Sequence, residues 1–588
     1  MTDAAAPAQT RHDVPPAKMR LVVVASAAGT MFEWYDFFVY GALASVIAPL
    51  FFAGLPDAQA FVFTLLTFGV GFVVRPLGAI VFGKMGDSIG RKATFLVTIS
   101  IMGLATFAIG LLPTATMTWA EYFTGHWITE PGIESGDIGT GAAILLVTMR
   151  VLQGFALGGE YGGAAIYVAE HAHPKKRGAS TGWIQTSAAF GLGGALLVVL
   201  ISRALLGEDA FKAWGWRIPF LISVVLLVIS VWIRLQLEES PAFQKLKDEG
   251  RVSKRAYAES FLDWRNLKIV LLVFFSITMA QGVVWYTGFF YTQFYIERIL
   301  KIDSQTVNVI MIAGVILSAP LYVFFAWLSD FVGRKYVMLF GIVMMLALYF
   351  PGFHYITQSG NPPLAHALET VPVTVIADPA DCTFQLDLTG GAQQFSSSCD
   401  IAKGSLTNAG VAYTTEAGPA GSLARIRVGD RELESVSAAG QSISEIRATR
   451  TAFEARLRPV LDAAGYPAHS PGAMQGWSWS EIVRVFSEKI GVFFILALFV
   501  IAATALYGPQ AAALVELFPT RIRYTALSVP YHIGVGWFGG LLPAIVFAIN
   551  TTTGSLYAGL WYPVIATTIS ALVAFFFLPE TKDRDIHA

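Results

Sequence analysis

Four charged side chains stand where charge is hardest to keep. Glu33, Asp36, Arg75 and Arg150 each lie inside an apolar run long enough to cross a bilayer, and an ionisable group at that depth is a functional candidate by default. Glu33, Asp36 and Tyr40 are spaced i, i+3 and i+7, which puts two acids and a phenol on one helix face. Turned toward a central cavity, that face accepts, holds and passes a proton. Asp36 is the first choice for a proton-coupling acid, followed by Glu33 and by Glu160, which sits among glycines; the plainer alternative is a structural ion-pair staple to Arg75. Arg150 and Arg75 each carry an always-charged planar fork that suits a carboxylate. Arg150, with Gln153 three residues on, is the better anion contact, whereas Arg75 serves equally well as a neutraliser of Asp36 or Glu33. Tyr40, Gln185, Gln281, Trp285, Tyr286, Tyr507, Gln510 and Tyr531 complete the candidate binding set, although many Tyr and Trp in apolar runs are interfacial anchors. The HAH sequence at 171–173 beside Glu170 reads as a solvated turn rather than a metal site. No phosphate-cradling loop and no soluble-enzyme constellation is present. The expectation is a protein without enzyme activity, metal or cofactor, driven by a proton gradient.

The elements that must position these residues are membrane spans. Hydrophobic residues make up 55% of the 588 and charged residues only 14%, against about 25% charge in a soluble chain. A net charge of −1 offers no field for nucleic acid. Apolar runs of about 20 residues predict twelve spans: 20–50, 59–82, 93–112, 142–168, 179–204, 215–236, 267–297, 305–329, 336–354, 489–512, 524–549 and 556–578. The first is too long for a signal peptide and counts as a helix. Loops after even-numbered helices are rich in Lys and Arg, while 113–141 has neither, so both termini are expected in the cytoplasm.

The chain also repeats. GKMGDSIGRK (83–92) and AWLSDFVGRK (326–335) set Asp87, Gly90, Arg91 and Lys92 against Asp330, Gly333, Arg334 and Lys335. Glu170 and Arg177 likewise match Glu516 and Arg523. The offset between copies grows after helix 9, which places an insertion there. The expected division is a cytoplasmic tail 1–19, a six-helix half 20–236, a cytoplasmic linker 237–266, helices 7–9 over 267–354, an extracytoplasmic insert 355–488, helices 10–12 over 489–578 and a cytoplasmic tail 579–588. The fold class is therefore an all-α polytopic membrane protein of twelve helices in two six-helix halves, with a small α+β insert. Within the insert, 372–388 and 424–433 read as β-rich and 442–465 as an amphipathic helix. Both cysteines, Cys382 and Cys399, lie in it, which fits a disulfide in an oxidising compartment.

The repeated G/A-x3-D-x2-G-R-K motif resembles the helix 2–3 signature of the major facilitator superfamily, and RVLQG (150–154) resembles its helix 4 motif. MFEWYDFFVYG (31–41), RPLGAIVFG (75–83), QGFALGGEYGGA (153–164), WGWRIPF (214–220), EESPAF (238–243), YGPQAAALVELFPTRIRYTA (507–526) and PETKDRDI (579–586) look like its metabolite:proton symporter branch. The resemblance covers all twelve helices and leaves out the insert. It departs at Ser88, where the family usually has a basic residue. It implies a secondary transporter of a bacterial inner membrane that works as a monomer and carries a small organic acid with protons. Relatives carry 2-oxoglutarate, citrate, shikimate, or proline and betaine, so a zwitterion is the alternative substrate. A receptor-like sensor signalling through the insert is the alternative class. Arg150 resembles the family's helix 4 arginine. The two motif copies, with Glu170 and Glu516 as partners, read as a cytoplasmic gate.

Overall fold

Apolar surface in a twenty-residue stretch has two ways to leave water, lipid or another helix, and the helices of this chain divide between them. The computed structural model describes residues 16–53, 55, 57–89, 91–125, 137–159, 165–166, 168–169, 172–235, 256–383, 395–519, 522–584 and 586. Ten helices among the described residues are long and apolar enough to cross a membrane, and a pair bent by 61° makes an eleventh. The bent pair is helix 1 (Pro16–Ala42 and Ala44–Phe51). Helix 2 spans Ala60–Phe82. Helix 3, Arg91–Leu111, has a shorter apolar core and completes twelve. Helices 4 to 8 are Thr140–Leu157, Pro174–Leu206, Gly215–Leu235, Trp264–Ile299 and Ser304–Val332. Helices 9 to 12 are Arg334–Gly360, Ile490–Leu517, Arg523–Thr553 and Ala558–Phe577. Helix 6 is peripheral, with only 28% of its apolar stretch buried, whereas helix 11 buries 67%.

Breaks in these helices have local causes. Pro76 has no N–H to offer the carbonyl of Phe72, and helix 2 breaks at Val74, just before Arg75. Helices 7 and 11 contain wide π turns at Phe274–Thr278, Thr287–Tyr291, Tyr295–Ile299 and Gly534–Gly540, a deformation common at functional sites. Helices 2 and 4 approach until a Cβ on Gly154 would lie 1.7 Å from the carbonyl oxygen of Gly71. Backbone cannot yield there as a side-chain tip can. Gly154→Ala is therefore expected to destabilise the fold by at least about 1–3 kcal/mol, read as a lower unfolding temperature of the purified protein. The two halves meet where helix 5 crosses helix 8, at Gly182 against Ala326, and where helix 2 crosses helix 11, at Gly69 against Gly540.

Helix 9 runs past the expected end at 354 to Gly360, held by Asn361, whose side chain caps the next helix, Pro362–Thr370. The insert then forms a four-stranded sheet: β1 (Val373–Ala377), β2 (Thr414–Ala417), β3 (Arg425–Val428) and β4 (Arg431–Glu434), in the order β2-β1-β3-β4. β1 runs parallel to β2 and antiparallel to β3. The amphipathic helix is Ile443–Ala463, started by a Ser442–Glu445 capping box. A disulfide joins Cys382 to Cys399 across 17 residues of chain. Closing a loop of that length stabilises a domain by about 3 kcal/mol in the chain-entropy model. Cys399→Ser should lower the insert's unfolding free energy by that order, measured against denaturant in the intact protein.

Candidate functional site

The two buried arginines meet between the halves. Arg75 is 1% exposed and Arg150 fully buried. The Arg150 fork donates from Nη1 to Gln153 Oε1 at 2.6 Å and to the Phe37 carbonyl at 3.4 Å, and from Nη2 to the Phe68 carbonyl at 3.2 Å. Gln153 is fixed in turn by Nε2, which donates to Thr106 Oγ1 at 2.6 Å and reaches the backbone carbonyl of Asp36 at 3.5 Å. Aromatic faces surround both cations: the Arg75 guanidinium lies 3.9 Å from the Phe72 ring and 4.5 Å from Phe37, and that of Arg150 4.3 Å from Phe37 and 4.6 Å from Tyr40. Ring quadrupoles attract such cations, but they do not replace a counter-anion. Nε and Nη2 of Arg75 have no hydrogen-bond partner. Among the described residues, no carboxylate stands within ion-pair distance of either arginine.

From the second half, helices 7, 10 and 11 bring Tyr286, Tyr507 and Tyr531 into the electrostatic reach of Arg75. The Tyr507 and Tyr531 hydroxyls lie 3.4 Å apart, while the buried Tyr286 hydroxyl has no partner. Trp285 stacks on Phe38 across the halves and donates to the Tyr322 hydroxyl at 2.7 Å. Gln281 and Gln510 are buried, with Oε1 of the first and both amide atoms of the second unsatisfied. Gln185 is buried on helix 5.

The acids of helix 1 lie differently from the expectation. Glu33 pairs with Arg234 of helix 6, and Asp36 faces Ser223 of the same helix, so neither staples to Arg75. Both point into the first half rather than into the cleft, because the bulky Trp34, Phe37 and Phe38 take the cleft side of the helix. Tyr40 parts from them, donating to the Thr64 carbonyl of helix 2 at 3.1 Å. Asp36 is 5% exposed, and its Oδ1 has no partner. Glu160 and Glu170 lie outside the described residues, as do Gly90 and the side chains of Asp87, Arg91 and Lys92.

The second motif copy is fully described, and it builds a charge network across the halves. Asp330 accepts from the backbone N–H groups of Gly178 and Ala179, both at 2.9 Å, at the start of helix 5, where the helix dipole favours an anion. Arg334 holds Asp330 at 2.7 Å and Glu516 at 3.3 Å. Glu516 also takes Arg177 at 2.9 Å and the Thr581 hydroxyl at 2.7 Å. Gly333, at φ +117°, makes the one-residue link between helices 8 and 9, a conformation that side chains resist. The backbone N–H groups of Arg334 and Lys335 both donate to Glu580. Arg177 was missed as a partner because it sits in a basic triplet that topology alone explains. Arg234 had a signal: a charge within the apolar run of helix 6.

Residues 21–263 match the family described as sugar (and other) transporter, and residues 164–377 match that of MFS/sugar transport protein. The chain is 36% identical over 358 residues to the proline/betaine transporter of Escherichia coli K12, covering 58% of this chain and 66% of that relative's length. It is 32% identical over 343 residues to the shikimate transporter of the same strain, covering 57% of this chain and 72% of that one. Its fold is similar to that of the MFS proton:xylose symporter XylE, at a TM-score of 0.60 and 15% identity over 98% of each chain. A partially occluded inward-open form of XylE from E. coli gives 0.56 at 14% identity, over 97% of this chain and 100% of that one. Two matched transporter families, a shared fold and one-third identity over most of a relative's length agree: the chain belongs to the major facilitator superfamily of membrane transport proteins.

Proposed function

We propose that this protein is a proton-coupled symporter that imports a small carboxylate by alternating access across the bacterial cytoplasmic membrane, with both termini inside. One observation carries the reading: two buried arginines at the meeting of the halves, with no carboxylate paired to them among the described residues. A buried charge left without a partner is costly, and an anionic substrate supplies the missing counter-charge. Arg150 and Arg75 then grip the carboxylate, with Tyr286, Tyr507 and Tyr531 around it. One chain suffices, because the site lies between its own halves. Asp36 takes the coupling proton. The Asp330, Arg334, Glu516 and Arg177 network closes the cytoplasmic side and parts when the halves rock, with Gly333 and Lys335 at the link that turns.

A zwitterion is the second reading. The stacked Phe38 and Trp285 rings, with Tyr286 beside them, offer faces for a quaternary ammonium, and one relative above is a proline/betaine transporter. Counterflow in proteoliposomes with succinate and with glycine betaine separates the two. Exchange of succinate supports the carboxylate reading, exchange of betaine alone the zwitterion reading, and exchange of neither member of a wider acid and zwitterion panel contradicts transport.

A further inference from the structure

A helix on a protein surface normally buries one stripe and leaves the rest to water. The insert's helix Ser398–Asn408 is polar in sequence, yet every residue from Ser398 to Leu406 is buried. It is covered on both sides. β1 and the helix Ile443–Ala463 pack over it, and helices 2, 7 and 11 lie beneath it at the end of the bundle that carries the insert. Helix 2 belongs to the first half and helices 7 and 11 to the second, so this helix straddles the seam between the halves.

Below it the seam is shut. Phe61 of helix 2 is buried and stands edge-on to Phe294 of helix 7 at 5.4 Å and to Phe547 of helix 11 at 5.3 Å. The Arg298 guanidinium of helix 7 lies 4.7 Å from the same ring. At the opposite end the Arg177–Glu516 pair joins the halves. Both ends of the path are therefore closed, and a cargo enters from the insert's side only after helix 2 parts from helices 7 and 11.

The two halves hold the insert unequally. On the second half, Tyr413 N donates to the Gly554 carbonyl at 2.9 Å and the Tyr413 hydroxyl to the Thr551 carbonyl at 2.5 Å. Ser470 N donates to the Lys301 carbonyl at 3.0 Å, and Ser470 Oγ to the Gly360 carbonyl at 2.8 Å. Gly410, at φ +74°, comes so near helix 7 that a Cβ would lie 2.4 Å from the Ile299 carbonyl oxygen. Toward the first half the insert extends the long side chain of Arg447, whose Nη2 donates to the Ala53 carbonyl, just past helix 1, at 2.6 Å. Several backbone attachments on one side and a side-chain tip on the other make the insert a passenger of the second half.

We propose that the insert is a lid on the outer gate: it rides on the second half and straps the first half shut through its buried helix and Arg447. Each outward opening then breaks the Arg447 bond and lifts the helix from helix 2, so the strap sets how often the central site is offered to the outside. The lid rests on alternating access and not on the identity of the cargo. Spin-label distances in the full-length protein in nanodiscs test it. Both native cysteines are in the disulfide, which leaves introduced ones free to carry labels. Thr140→Cys with Thr553→Cys reports the outer side and Lys175→Cys with Tyr336→Cys the cytoplasmic side, all four positions being exposed. Arg447→Ala is expected to raise the long-distance outer population by roughly threefold to tenfold, the range for one lost hydrogen bond, with the cytoplasmic pair unmoved. Arg447→Lys keeps a donor and should stay near wild type. Outer distances unchanged in folded Arg447→Ala overturn the lid, as does an equal lengthening at both ends, which is general loosening. Failure of alternating access shows differently: Glu516→Gln, which weakens the cytoplasmic network, then leaves the cytoplasmic pair fixed as well.

Discussion

Asp36→Asn is expected to abolish uphill uptake driven by an inward proton gradient while sparing substrate counterflow. Asp36 is buried with an unpartnered carboxylate oxygen, a situation in which losing the charge removes a desolvation cost. Its backbone carbonyl accepts from Gln153, whose Oε1 accepts from Arg150, so the acid and the anion site share a two-step connection through helices 1 and 4. A substrate carboxylate that draws on Arg150 changes the field and packing at Asp36, and proton and substrate then favour each other's binding reciprocally. Asparagine fixes the neutral form, so exchange continues but the gradient has no proton to drive. The effect is large. A monocarboxylate entering with one proton carries no net charge, so the pH gradient is the drive, and each unit of it is worth about 1.4 kcal/mol, or tenfold accumulation. Uptake of labelled substrate into proteoliposomes, with and without the gradient, reads it. Normal accumulation by Asp36→Asn would remove the assignment and turn attention to Glu33 and Glu160.

Arg150→Lys is expected to weaken substrate binding by about ten- to a hundredfold although the charge is kept. The guanidinium holds Gln153 and two backbone carbonyls in three directions while presenting a flat face to its aromatic neighbours. An ammonium is a point donor on a flexible stem and cannot reproduce that fork. Hydrogen bonds to a charged group contribute about 1.5–3 kcal/mol each, which sets the range. Unchanged affinity, in protein shown to be folded and inserted, would make Arg150 a structural strut.

Much of the fold was legible because membrane helices carry dense, local signals. A span must be long and apolar, and each of the twelve expected runs contains a helix. The insertion was visible from repeat offsets, and the disulfide from two cysteines in one segment. The helix Ser398–Asn408 has no clear signal in the sequence, because SSSCDIAKGSLTN is polar and rich in turn formers; Ser397 caps it, and the disulfide through Cys399 ties it to the insert. The candidate site was half legible. Residue types inside spans single out Arg75, Arg150 and Asp36 as charges that the fold must bury, but a shared helix face does not say which neighbour that face meets. Glu33 found Arg234, and the cleft went to Phe37 and Phe38, whose size rather than polarity decides the packing. The rings around the arginines were invisible in a chain with 43 Phe, where no single ring stands out.

The most direct measurement of the central claim is proton movement coupled to substrate entry. Proteoliposomes holding the purified protein and a pH-sensitive dye are given succinate outside, with no gradient imposed. The account predicts saturable acidification of the lumen that tracks succinate uptake and disappears in Asp36→Asn. Succinate entry at the full rate with no change in luminal pH would contradict it.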